Sequence, residues 1–194
     1  MTLVERLQRA VGVAPLAYSG DWAVSAHAQE ERVLTDAAVL IAIVDRPEPT
    51  LLLTRRNANM RRHPGQIAFP GGRIDPGDAN PTAAALREAH EEVALSPDHV
   101  RVIGTTDLYE TGTGYSITPV IGIIPPDLPL VPAEDEVAAL FEVNLSHVLD
   151  PANHDKRTGE WQGISRRFYV INSDGYEIWG ATAAMIVNLS RRLA

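Results

Sequence analysis

Apolar residues recur in short runs along most of the chain, and the spacing within each run predicts its conformation. At the N-terminus Leu3, Val4 and Leu7 are interleaved with Glu5, Arg6, Gln8 and Arg9, the spacing of a short amphipathic helix. Residues 13–35 are rich in Ala, Gly and Ser, include Pro15 and show no period, so an extended arm or loop is expected there. Residues 37–44 are apolar and largely β-branched, residues 45–49 contain Pro47 and Pro49, and residues 50–54 are apolar again. That sequence predicts a strand, a turn and a second strand.

A short strand is expected at residues 66–69, ending at Pro70, Gly71 and Gly72. A loop with Asp75, Pro76, Gly77 and Asp78 then leads to a predicted helix at 81–95, with Pro81 suited to its first turn and Asn80 to its N-cap. Further strands are expected at 99–105, 117–124 and 136–143. Residues 166–171 should pair with 176–179 across 172–175, where Asp174-Gly175 is a hairpin signal. Residues 181–193 have the apolar spacing of a closing helix, with Arg191 and Arg192 favourably placed in its last turn. This irregular alternation predicts an α/β chain of the α+β kind, an α/β/α sandwich on a mixed β-sheet, rather than a doubly wound parallel sheet. The expected division is an N-terminal helix and extended arm at residues 1–35 and one domain at residues 36–194.

Composition narrows the function classes. A chain of 194 residues, 45% hydrophobic and 22% charged, is long enough to bury a sizeable core. Its net charge of -8 argues against a general nucleic-acid binder, whose affinity comes from neutralising phosphates with Lys and Arg. The lack of cysteine excludes disulfides, Cys-ligated zinc and thiol catalysis, and fits a reducing cytoplasm. The run at 37–44 is the longest apolar one and far too short to cross a bilayer, and the N-terminus lacks a signal-peptide core, so no membrane partner is expected. Arg192-Leu193-Ala194 is not a Ser-Lys-Leu peroxisomal address, which leaves the cytoplasm as the expected location. A homodimer is left open.

The chemistry concentrates on the helix at 81–95. Arg87-Glu88-Ala89-His90-Glu91-Glu92 puts three acids at i, i+3 and i+4, within an arc of roughly 100°. Like charges at these spacings cost a helix about 0.2–0.5 kcal/mol per pair unless solvent or a cation offsets them. Read alone, the cluster is a solvated acidic face; as hard oxygen ligands it suits Mg²⁺ or Mn²⁺. The preceding Phe69-Pro70-Gly71-Gly72 favours the second reading, because Gly permits close backbone approach and a carbonyl there could complete a metal shell.

Gly72, Asp78, Arg87-Glu88, Glu91-Glu92 and Leu95 together resemble the Nudix box, Gly-x5-Glu-x7-Arg-Glu-U-x-Glu-Glu-x-Gly-U, where U is a bulky aliphatic residue. Asp78 replaces the first Glu, one extra residue separates it from Arg87, Ala89 is a small U residue, and Ala94 stands where the box has Gly. The resemblance implies a Nudix-type sandwich that hydrolyses a pyrophosphate bond. It further implies a metal, Mg²⁺ or Mn²⁺, held by Glu88 and Glu92 with Glu91 and the Gly72 carbonyl as further ligands, and Arg87 orienting a carboxylate by ion pairing. Water attack on phosphorus needs cations to neutralise oxygens and a base to take the proton; Glu88, Glu91 and Glu136 are the candidate bases.

Residues 52–72, Leu-Leu-Thr-Arg-Arg-Asn-Ala-Asn-Met-Arg-Arg-His-Pro-Gly-Gln-Ile-Ala-Phe-Pro-Gly-Gly, narrow the substrate. Arg55, Arg56, Arg61, Arg62 and His63 form a basic cluster in an acidic chain, and Arg forks bind phosphate bidentately. The stretch looks like the signature of the coenzyme A pyrophosphatases within the Nudix superfamily, Leu-Leu-Thr-x-Arg-(Ser/Ala)-x3-Arg-x3-Gly-x3-Phe-Pro-Gly-Gly. It departs only at Asn57. The resemblance implies that coenzyme A or an acyl-CoA is the small-molecule partner, split to 3′,5′-ADP and 4′-phosphopantetheine or its acylated form. The five basic residues would receive its phosphates.

Rival readings are a Nudix hydrolase for ADP-ribose, a dinucleotide or a nucleoside triphosphate, and a non-catalytic nucleotide sensor, in which the acids are usually eroded. Among other residues, Tyr109, Tyr115 and Trp179 are expected in the core rather than against a base, and His90 is expected to pack on the apolar side of its helix.

Overall fold

A computed structural model describes residues 1–11, 33–60, 63–161 and 164–194. Most of the expected arm at 13–35 therefore lies outside the described residues, as do Arg61 and Arg62. The elements run α1 (Leu3–Val11), β1 (Thr35–Val44), β2 (Thr50–Arg56), β3 (Ile67–Ala68), β4 (Gly71–Arg73) and α2 (Pro81–Val93). They continue with β5 (Arg101–Thr105), β6 (Tyr109–Glu110), β7 (Tyr115–Ile124), β8 (Val137–Asn144), α3 (Leu145–Leu149), β9 (Asp155–Trp161), β10 (Ile164–Ser173), β11 (Tyr176–Trp179) and α4 (Gly180–Leu193). Pro97–His99 forms a 3₁₀ turn, so the strand expected from residue 99 begins only at Arg101.

The main sheet has eight strands and is mixed. Its central strand, β1, pairs parallel with β7 from Thr35↔Tyr115 to Val44↔Ile124. On its other edge β1 meets β4 at one end, Ala38 facing Gly72, and β2 at the other, Ile43 facing Leu51. β2 also pairs with β8 and β3, and β7 carries β5 and β6. The smaller sheet is the antiparallel β9-β10-β11.

Alternation along β1 divides the core into two layers, since successive side chains point to opposite faces. Ala38, Leu40, Ala42 and Val44 pack with Ala84, Ala85, Ala89 and Val93 of α2, whereas Ile41 and Ile43 share a cluster with Leu51, Leu53 and α4. Every residue of α4 from Thr182 to Ser190 is buried. A helix buried all round needs neighbours on all sides, and here the main sheet, the small sheet, α1 and α3 supply them. The result is the expected sandwich, with helices on both faces of a mixed sheet. Among the described residues no helix is long and apolar enough to cross a membrane.

The hairpin signal is confirmed and sharpened. Ser173 pairs with Tyr176, so the loop is only Asp174-Gly175, both with positive φ (51° and 81°), and the strands extend further than expected. That is the primed geometry a two-residue hairpin favours. Tyr109 is buried in the core, whereas Trp179 is 41% exposed and meets Phe168 edge to face at 5.9 Å.

One buried ion pair ties the chain's ends together. Arg192 of α4 grips Asp107 through Nε at 2.8 Å and through Nη2, and its Nη1 donates to the Ala10 carbonyl of α1 at 2.6 Å. The two side chains are 2% and 6% exposed. Removing one partner leaves an uncompensated buried charge, which costs about 3–5 kcal/mol. Arg192→Leu should therefore lower the urea midpoint by that amount of stability, with the Asp107→Asn/Arg192→Leu double variant recovering part of it. A loss below about 1 kcal/mol would contradict this account.

Candidate active site

The site forms where β4 lies against α2. Asn80 caps the helix, its side chain accepting from Ala83 N–H at 2.9 Å, and Pro81 opens the first turn. The buried face of α2 is built from Ala84, Ala85, Ala89, Glu92 and Val93. Small residues let the helix approach the sheet closely, and the two glycines of β4 complete the fit. A Cβ on Gly71 would clash with the Ala38 carbonyl oxygen and lie 2.6 Å from Val39 Cα. One on Gly72 would lie 2.5 Å from all three atoms of the Glu88 carboxyl group.

Glu92 is 3% exposed and accepts from Gly71 N–H at 3.2 Å. Arg56 Nη1, from the end of β2, stands 3.6 Å from its other oxygen. Burial pushes the Glu92 carboxyl up to about 7; the Gly71 amide and Arg56 oppose that rise, while Glu88 and Glu136 add to it. Burial also raises Glu88, against the Arg87 guanidinium and with the charges of Glu91 and Glu136 reinforcing it. Glu136 itself is exposed, in the turn before β8, and that turn is tied to α2 where Ala133 N–H donates to the Glu92 carbonyl at 2.8 Å.

Arg87 is the hub of the helix's outer side. Its Nε and Nη2 hold both oxygens of Asp78, each at 3.0 Å, and Nη1 donates to Glu88 Oε1 at 3.0 Å and to Glu91 Oε2 at 2.9 Å. Nη2 also reaches the Arg73 carbonyl at 3.1 Å. The Arg87 fork, helped by the Asp75 N–H, holds Asp78 below the usual carboxylate range. The guanidinium is correspondingly raised, chiefly by Asp78.

The fold brings Gly72, Glu88, Glu92 and Arg56 together, with Arg87 bracing Glu88 and Glu136 within electrostatic reach. Glu91 turns outward onto Arg87 and its side chain is 57% exposed, so the three acids do not converge on one point. Among the described residues no three His, Cys, Asp or Glu side chains form a ready-made cage. Arg55 and His63 are exposed, His63 with a left-handed backbone (φ 53°). His90 is exposed as well, correcting the expectation that it packs: it lies just past the arc that faces the sheet. The sequence reading missed Asp78 as the partner of Arg87 and the Gly71 amide as the partner of Glu92. It also missed the hydrogen bonds of Asn57, which was visible only as a departure from a pattern. Two cavities lie elsewhere, one of about 730 Å³ beside His147, Asp150 and Tyr176 and one of about 510 Å³ beside Arg46, Leu128 and Glu142. Neither is lined by the acids of α2.

The NUDIX domain family pattern matches residues 34–166. The chain belongs to the Nudix family. An uncharacterized Nudix hydrolase, NudL of Escherichia coli (strain K12), is 48% identical over 157 residues, spanning 81% of this chain and 82% of the relative. The NudL of Shigella boydii serotype 4 is 49% identical over the same shares. Among solved structures, the Nudix hydrolase RenU of M. smegmatis is similar at 26% identity and a TM-score of 0.50, covering 68% of this chain and 75% of that one. The chain is thus a Nudix pyrophosphohydrolase, an enzyme of a family that uses divalent cations.

This Nudix site fits such a cation. Glu88 and Glu92 are hard oxygen donors whose proton affinity burial raises, as expected for carboxylates that lack full charge compensation. Gly72 leaves open the space beside the Glu88 carboxylate that any side chain would fill.

Two expected outcomes follow from this geometry. In Gly72→Ala the nearest atoms to the new methyl are the flexible end of Glu88, which can swing aside, so the variant should melt like the wild type but lose about 100-fold in diphosphate hydrolysis. In Gly71→Ala it meets backbone, so stability should fall too, by about 1–3 kcal/mol. Equal activity of Gly72→Ala and wild type would refute the assignment.

The second concerns pH. Since the folded Glu92 pKa is raised from its ordinary 4.5 to about 7, the folded state keeps a proton there that the unfolded chain releases. Stability from this group is complete below pH 4.5 and lost as pH rises through 7. With EDTA present, Glu92→Gln should lack that loss and exceed the wild type by on the order of 3 kcal/mol above pH 7, read from urea curves at pH 4.5 to 8. Parallel pH profiles of the two proteins would overturn it.

Proposed function

We propose that this Nudix enzyme hydrolyses the pyrophosphate bond of coenzyme A or an acyl-CoA, releasing 3′,5′-ADP and 4′-phosphopantetheine or its acylated form. The observation that carries the proposal is Arg56. It belongs to the segment that resembles the coenzyme A pyrophosphatase signature, and it reaches the carboxylate site, 3.6 Å from Glu92. Its Nε is buried without a hydrogen-bond partner among the described residues. A buried donor left unpaired is costly, and a phosphate oxygen of the substrate would satisfy it.

In this reading Arg55, Arg56, Arg61, Arg62 and His63 receive the 3′-phosphate and the pyrophosphate. Glu88 and Glu92 would hold Mg²⁺ or Mn²⁺ with the Gly72 carbonyl, and Glu91 would join them only by turning away from Arg87. The cation supplies positive charge opposite the pyrophosphate oxygens and makes water more acidic. Arg87 fixes the Glu88 carboxylate through Nη1 while Asp78 fixes Arg87. Glu136, exposed in the turn before β8, is the acid this reading assigns to accept the proton of the attacking water, with Glu88 and Glu91 as the other candidates. Retention of Glu88, Glu91 and Glu92 favours turnover over a sensor role.

The test is incubation of the purified chain with coenzyme A and Mg²⁺ or Mn²⁺, with products identified by mass. Release of 3′,5′-ADP is expected, and Glu92→Gln should reduce it at least about 100-fold without unfolding the protein. Intact coenzyme A alongside cleaved ADP-ribose would shift the substrate to the rival class. Tight binding of coenzyme A with no product at any metal level would make the protein a sensor.

A further inference from the structure

Asn57 occupies the one position in residues 52–72 where the chain departs from the coenzyme A pyrophosphatase pattern, and both polar atoms of its side chain are hydrogen-bonded. Nδ2 donates to the Glu134 carbonyl at 2.8 Å, and Oδ1 accepts from Asn59 N–H at 3.0 Å. The backbone N–H of Asn57 donates to the Glu136 carbonyl at 2.8 Å. The turn held in this way is tied on its other side to the catalytic helix, where Ala133 N–H donates to the Glu92 carbonyl at 2.8 Å. Within the turn, the Ala133 carbonyl accepts from Glu136 N–H at 2.9 Å and from Val137 N–H at 2.8 Å.

We infer that Asn57 is a positioning residue: its side-chain amide clamps the 133–136 turn between the end of β2 and the C-terminal part of α2, and so fixes the Glu136 carboxyl beside Glu88 and Glu92. The alternatives usual at this position cannot do this. Alanine has no polar atom, and serine is one bond shorter and ends in a single hydroxyl. Asparagine spans the gap with a donor for one loop and an acceptor for the other. Without the amide, the turn keeps its backbone bonds to Asn57 N–H and Glu92 but loses the side-chain bond that fixes its apex. The turn lies between Asn57 N–H at the end of β2 and the Glu92 carbonyl of α2, so a small shift of it moves the Glu136 side chain relative to the acids of the helix. The same amide organises the Asn57–Asn59 turn at the start of the basic segment, which couples the acidic and basic sides of the site.

This inference rests on the reading of Glu136 as the proton acceptor, and its test separates the two. Asn57→Ala and the isosteric Asn57→Asp, which loses the donor, are compared with the wild type in the full chain. Hydrogen exchange should speed up about 10-fold at the Ala133, Glu136 and Val137 amides in both variants, with the main sheet and the melting temperature unchanged. With coenzyme A and Mg²⁺, kcat should fall about 10- to 100-fold while KM stays within about twofold. In a Glu136→Gln background, Asn57→Ala should cost less than about twofold further, since both changes act through one group. Unchanged exchange at residues 133–137 overturns the clamp whatever the substrate is. An equal loss of kcat with and without the Glu136 carboxyl also overturns it, because the side chain would then act elsewhere. If the wild type leaves coenzyme A intact, the substrate proposal fails alone: the exchange result still decides the clamp, and the kinetic arm is read with ADP-ribose.

Discussion

A carboxylate buried at the junction of a strand and a helix is the constraint on which this site depends. Glu92 is 3% exposed, on the face that α2 turns to the sheet. An ionised group there is tolerated only when partners replace water. The Gly71 amide is one partner and the Arg56 guanidinium another, and both require α2 to lie close to β4 and to the end of β2. That closeness explains the run of small residues at Ala84, Ala85 and Ala89, and the absence of a side chain at Gly71 and Gly72. Packing and chemistry are satisfied by the same residues. A bulkier helix face would gain apolar burial and move Glu92 out of reach of its partners.

Arg87 solves a second problem, the crowding of like charge. Glu88, Glu91, Glu92 and Asp78 share one region, where Arg56 pairs with Glu92 and Arg87 with the other three. Arg87 spends the two-pronged side of its fork on Asp78 and uses its remaining nitrogen for Glu88 and Glu91. A lysine could not replace it, because a single ammonium lacks this divided geometry. Asp78 is shorter than the Glu of the family box, and one residue is added before Arg87. The turn in which Asp75 and Asp78 exchange backbone and side-chain hydrogen bonds brings the short acid to the arginine. Among the described residues negative charge exceeds positive charge here, and a divalent cation is a chemically suited counterion.

The fold was legible wherever burial imposes a period. Residues 37–44, 50–54 and 117–124 lie within the strands observed, and the helix starts at the Asn80-Pro81 signal. What stayed hidden was structure without a strong apolar rhythm. Asp155–Trp161 reads as polar but pairs along β10, and Leu145–Leu149 is too short to show helical spacing. In the site, sequence spacing identified the acids but not their directions. Glu88, Glu91 and Glu92 fall in one arc, yet Arg87 four residues earlier draws Glu91 outward, a local i,i+4 pair that competes with convergence of the three acids. Ala94 shows the converse: the family box has Gly there because the helix ends in a left-handed residue, and this chain keeps that conformation (φ 55°) with an alanine. The strain is of order 1–2 kcal/mol, offset by the bonds from Ala94 and Leu95 back to His90 and Ala89.

The two arginines that end β2 face opposite ways, and a local irregularity in β8 beside them joins their strand to the turn that carries Glu136. In a regular strand neighbouring side chains alternate faces, and the pairing of β2 with β8 follows that rule as far as Arg55↔Ala139. The register then shifts, and Arg56 pairs with Val137. Bulges of this kind re-aim a side chain and occur next to active sites. Here Arg55 is exposed, while Arg56 is aimed at Glu92 with its Nε enclosed. The shift also places the backbone of Asn57 against Glu136. The alternation of β2 thus sets an interior cation beside the buried acid and leaves Arg55 exposed, while the extra residue in β8, Ala138, joins the strand to the turn that carries the exposed acid. A β8 without that residue would bring the turn against Asn57 in a different register, so the register shift is as much a part of the site as the carboxylates.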